Sequence, residues 1–212
     1  MIKLAPIFLA VIILMSPSCV NLEPVVDQTR FYALGLQLGP TSTAAKSDLM
    51  KIHVERPNLP SYVESVELRY FGGNGEIHSL KNARWSEPVE YGVVRSLNAA
   101  LGHHGRHFIS YYPWPKPRDT AAVLKLNIHK LTAHANGTFD FIVDWKLEST
   151  DQLEMHRSVF TAQGVRWDLG DASSLVVAWD EAISQLVSAI YTYCQPLFVD
   201  AKGGITSSFA EH

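Results

Sequence analysis

The 212-residue sequence predicts an α/β sandwich in which one mixed sheet is covered by two principal helices. Three observations lead there. Segments 86–101 and 173–195 repeat apolar residues at helical spacing. Shorter runs alternate apolar and polar residues with period two, as half-buried strands do. The segments follow the order strands, helix, strands, helix, and a sheet with one apolar face needs helices to cover it.

Arg30-Phe31-Tyr32-Ala33-Leu34-Gly35 reads as the first strand, and residues 37–47, rich in Thr, Ser and Ala, as a loop. Met50 to Glu55 reads as a strand ending at Arg56-Pro57, because proline disfavours helix before it and cannot donate to a ladder. Ser61 to Phe71 carries a strand around Val66, Leu68 and Tyr70, and Gly72-Gly73-Asn74-Gly75 turns it back into a strand over 76–80. Glycine and asparagine suit that turn because both tolerate positive φ. The helix over 86–101 has Ser86 as cap, Glu87 at its positive end, Pro88 in its first turn and Gly102 as its stop. Val89, Val93, Leu97, Ala100 and Leu101 form its apolar face.

His107 to Tyr112 returns to strand character and stops at Pro113. Leu124, Leu126 and Ile128 alternate with Lys125, Asn127 and His129; Phe139, Phe141, Val143, Trp145 and Leu147 alternate with Asp140, Asp144, Lys146 and Glu148. Asn136-Gly137 between these runs is a strong hairpin signal. Val159 to Trp167 adds a further strand. The helix over 173–195 has Ser173 or Ser174 as cap, an apolar face through Leu175, Trp179, Ala182, Ile183, Leu186, Ile190 and Tyr193, and Pro196 as its end. Leu97 and Leu186 are expected to be buried by the two helices against the sheet. Residues 197–212 read as a small, polar, flexible tail.

The N-terminus points to export. The amino terminus and Lys3 precede an apolar run of twelve residues, Leu4 to Met15, and then Ser16-Pro17-Ser18, which is the anatomy of a signal peptide over 1–18. That run is too short for a permanent span of about 20 residues. Cleavage before Cys19 would make it the lipidated first residue of a bacterial lipoprotein, with residues 19–29 as tether and 30–196 as a single domain. Ser18 fits that pathway, whereas Ser16 stands where an aliphatic residue is usual. The alternative is a general cut that releases a soluble periplasmic protein and leaves Cys19 free to bridge Cys194. Without the leader the chain holds 17 basic against 21 acidic residues, so nothing in its charge suggests nucleic acid.

Residues that could suggest catalysis or metal binding have simpler readings. His103, His104 and His107 cluster in a loop after a glycine helix stop, without a cysteine or carboxylate nearby to complete a metal site. No G-x-S-x-G elbow is present, and Gly72 to Gly75 joins two strands rather than opening a helix on a phosphate. The expectation is a protein without catalytic residues, metal or cofactor. Tyr111, Tyr112 and Trp114, held extended by Pro113 and Pro115, are candidates for partner contact because aromatics offer large area at low entropy cost. Arg84 and Trp85 have two readings: a partner surface, or Trp85 packed under the start of the helix with Arg84 paired to a carboxylate.

Arg30-Phe31-Tyr32-Ala33-Leu34 soon after Cys19, Leu59-Pro60-Ser61-Tyr62 after a strand, and Arg84-Trp85-Ser86-Glu87-Pro88 before a helix together resemble the ABC-type transport auxiliary lipoprotein family, from about Cys19 to Pro196. The resemblance implies an anticodon-binding-domain-like three-layer fold and no catalytic activity. It also implies a periplasm-facing lipoprotein working beside MCE-domain proteins or ABC-type transporter components in lipid transport between membranes. Homo-oligomerisation is left open. Val20 after Cys19 is not the aspartate that commonly retains lipoproteins at the inner membrane, so the expected location is the periplasmic face of the outer membrane.

Overall fold

The computed structural model describes residues 26–36, 50–103, 107–111, 122–149 and 154–199. Its strands are β1 (Arg30–Tyr32), β2 (Met50–Val54), β3 (Glu67–Phe71), β4 (Ile77–Trp85), β5 (His107–Tyr111), β6 (Ala122–Ala133), β7 (Phe139–Ser149) and β8 (Glu154–Thr161). Helix α1 (Val89–His103) separates β4 from β5, and α2 (Ala172–Val199) follows β8. The fold is an α/β sandwich with mixed sheets and two helices.

The strands form two sheets where one was expected. A three-stranded sheet has the order β1-β4-β3 and a five-stranded sheet the order β5-β2-β6-β7-β8. In the larger sheet β2 runs parallel to both β5 and β6, while β6, β7 and β8 are antiparallel. The division arises after β2. Asn58 extends the larger sheet through its amide to Leu126 O (3.0 Å) and its carbonyl to Ile128 N (2.9 Å). The turn at 61–63 then takes the chain out of that sheet before β3 begins.

The smaller sheet depends on residues that lacked a strand pattern. Strand β4 runs on to Trp85, five residues beyond the expected end, and its last three residues pair with β1 in parallel: Arg30 with Ala83, Phe31 with Arg84, Tyr32 with Trp85. Against β3 the register jumps between Ser79 and Arg84. Asn82 absorbs the bulge at φ 57°, a conformation that asparagine tolerates better than most residues.

The alternation expected in β6 and β7 is present. Leu124, Leu126 and Ile128 are buried and His129 is exposed; a bulge between Ile128 and Lys130 shifts the phase, so that Leu131 and Ala133 are buried next. The opposite face carries ion pairs. Lys125 and Lys146 stand across from each other, and Glu148 accepts from both, at 2.7 and 2.6 Å. A like-charge pair that would repel is thereby bridged.

Three elements have boundaries other than those expected. Helix α1 begins at Val89, and Glu87 pairs with Arg95 instead of lying in its first turn. Helix α2 is capped by Asp171, whose Oδ1 accepts the Ser173 amide (2.9 Å). That helix continues through Pro196 to Val199, because proline removes its own donor while neighbouring bonds persist. The strand expected over 159–167 lies earlier, at Glu154–Thr161. Leu97 and Leu186 are buried as expected. Trp179 of α2 touches both sheets: its ring centroid is 5.2 Å from that of Trp85 and 6.1 Å from that of Phe139.

Candidate functional site

The segment after β1 is built for close docking onto α1. Leu34 is buried and its carbonyl accepts the Arg95 Nε–H at 2.8 Å. Gly35 follows at φ 72°, and a Cβ there would lie 2.8 Å from both the Cα and the nitrogen of Ser96. Only glycine meets both demands. The Gly35 amide donates to Asp180 Oδ1 at 2.9 Å, and the Ser96 hydroxyl donates to the same oxygen at 2.7 Å. One buried carboxylate thus joins the β1 loop, α1 and α2.

Burial pushes the Asp180 carboxyl above its ordinary value, while Ser96, the Gly35 amide and the Arg95 charge pull it part of the way back. The sign follows from linkage. A carboxyl raised in the folded state binds protons more tightly there, so its contribution is fully present below the unfolded value of about 3.9 and is lost as pH rises through the folded value. Asp180→Asn keeps an acceptor for Gly35 and removes the charge. Its stability relative to wild type should therefore increase from pH 4 to pH 7 in urea melts; a pH-independent difference would contradict the assignment.

The sequence candidates separate on the structure. Trp85 is 7% exposed and packed on Trp179 of α2, whereas the sequence reading had placed it under the start of the helix that follows it, α1. Arg84 is exposed, with no ion-pair partner among the described residues, although the carboxylates of Asp27 and Glu67 lie close enough to feel its charge. Its neighbour across the ladder, Phe31, is 65% exposed. These two residues form a mixed apolar and cationic patch on the outer face of the smaller sheet. Tyr111 stands opposite Val54 at the end of β5, an edge strand of the larger sheet. Cys19, Tyr112 and Trp114 lie outside the described residues, as does His104.

Two cavities lie at the start of α2, the first against the smaller sheet and the second against the turn between β6 and β7. The first, about 550 Å³, lies between Arg30, Tyr32, Lys81 and Asn82 on one side and 170–172 on the other. The second, about 900 Å³, includes Arg166, Leu169 and Val177. Sequence reading missed Asp180, Ser96 and Arg30. A signal existed for the first: Asp180 falls in line with Val176, Ile183 and Val187, so a charge interrupts an apolar helical stripe.

Two helices packed against mixed sheets define an α/β sandwich domain, a class that hosts many functions. The chain belongs to the family of ABC-type transport auxiliary lipoprotein components, whose model matches residues 32–191. Among solved structures, a Xanthomonas campestris protein is similar with a TM-score of 0.61 at 14% identity, over 82% of this chain and 98% of that one. An uncharacterized protein is similar with a TM-score of 0.59 at 16% identity, over 78% and 97%. A PelC dodecamer from Paraburkholderia phytofirmans is a more remote likeness, with a TM-score of 0.43 at 12% identity over 70% and 93%. No curated protein matches the sequence significantly.

Proposed function

We propose that this protein is a non-enzymatic accessory lipoprotein of an ABC- or MCE-type system that moves lipid between the inner and outer membranes. The observation that carries the reading is the family match, which spans nearly the whole folded region from β1 into α2. The polar groups at this junction support a structural economy of this kind: buried Asp180 and Ser96 and half-buried Arg95 are occupied in tying the loop and the helices together. Partner contact falls to the exposed Phe31–Arg84 patch, together with Tyr111, Tyr112 and Trp114. No helix among the described residues is long and apolar enough to cross a membrane.

Attachment in this reading comes from lipid on Cys19, at the periplasmic face of the outer membrane. Each buried methylene contributes about 0.8 kcal/mol, so the several acyl chains of a bacterial lipoprotein make a lasting anchor. Cys19→Ser should leave the domain folded and move the protein from the membrane fraction to the soluble periplasm. The wild-type protein should show the added mass of lipid on an N-terminal cysteine. An unmodified mass, or a bridge between Cys19 and Cys194, would place it instead with soluble periplasmic lipid or small-ligand carriers.

A further inference from the structure

The first cavity gathers cations that the fold leaves unused. Arg30 opposes the buried Ala83, which puts it on the inner side of the smaller sheet, facing the start of α2. Lys81 reaches the same cavity from the bulged part of β4. Neither has an ion-pair partner among the described residues. The far wall is the beginning of a 28-residue helix with no acidic side chain in its first turn, so its amides add positive potential. Asp171 is the one carboxylate in the lining among the described residues, and its Oδ1 is taken by the Ser173 amide. Two cations therefore face one carboxylate, which leaves a positive cleft large enough for a small anionic group.

Asp171 also lines the second cavity, so the two adjoin at the helix start. There Leu169 is 55% and Val177 46% exposed, two large aliphatic side chains that water covers at a cost. A positive cleft beside exposed aliphatic surface fits one amphiphilic ligand with an anionic head.

We propose that the first cavity holds the phosphate of a phospholipid head group against Arg30 and Lys81, with Leu169 and Val177 seating the upper part of an acyl chain. The choice of a phospholipid rests on the transport reading; the match of charge and apolar surface does not. The test is calorimetric titration of the full Cys19→Ser chain with monomeric dihexanoyl phosphatidylglycerol and, separately, with inorganic phosphate. The lipid should bind more tightly than phosphate. The double variant Arg30→Ala with Lys81→Ala should melt as its parent does and bind the lipid at least about tenfold more weakly, as expected for lost charge-assisted contacts. Leu169→Ser with Val177→Ser should weaken the lipid and leave phosphate unchanged. Undiminished lipid binding by the Arg30 and Lys81 variant, or no binding to a folded parent, would overturn the site. Phosphate binding as tight as lipid binding would overturn the lipid assignment. Transporter components that co-purify with a protein unable to bind lipid would refute this site and leave the accessory role intact.

Discussion

Trp179→Ala is expected to lower unfolding stability by about 3–5 kcal/mol, the range for removing a buried aromatic side chain. Trp179 is 6% exposed and its indole lies between Trp85 of the smaller sheet and Phe139 of the larger. Removing it leaves a cavity with walls from both sheets and from α2, and backbone relaxation cannot close all three sides at once. Denaturant melts should show the loss, and Trp179→Phe should recover part of it by restoring two of the ring contacts. A Trp179→Ala variant within about 0.5 kcal/mol of wild type, the range for an ordinary surface site, would contradict the packing that unites the sheets.

Gly35→Ala should cost about 2–4 kcal/mol, since overpacking and a left-handed backbone each add to the loss. The added methyl meets the Ser96 backbone at 2.8 Å, and helix backbone cannot give way as a flexible side chain can. Two glycines of the β3–β4 turn separate the causes. Gly75 shares the positive φ (79°) but has open space around it, so Gly75→Ala should cost only the conformational part, about 1–2 kcal/mol. Gly73 has open space and no left-handed φ, so Gly73→Ala should lie within about 0.5 kcal/mol of wild type. Equal losses at positions 35 and 75 would show that the close approach to α1 contributes nothing.

What was legible in the sequence followed from periodicity. Strands β6 and β7 are long, pair directly and bury one face, so alternation marked them, and the two helices carried apolar stripes long enough to stand out. The second sheet was hidden because β1 has three residues and its partner segment, Ala83 to Trp85, follows a bulge at Asn82 that breaks period two. Short strands joined in parallel across some fifty residues leave no local trace. The candidate surfaces were partly legible: aromatic and cationic residues drew attention to Arg84 and Trp85, yet single-residue chemistry could not say which was exposed. Pairing did, since Trp85 shares its face with Tyr32 and the core while Arg84 shares the outer face with Phe31. Arg30 escaped notice for the same reason, because its role beside Lys81 appears only when β1 is laid against β4.

The accessory role is tested most directly by affinity purification of the full-length protein from detergent-solubilised membranes, with mass spectrometry of what accompanies it. The expected result is recovery of ABC- or MCE-type transporter components with the wild-type chain, reduced by Arg84→Glu on the exposed face of the smaller sheet while the variant melts as the wild type does. Recovery of the protein with bound small molecules and no transporter component, under conditions in which that transporter is itself extracted intact, would contradict the account and favour a freestanding carrier.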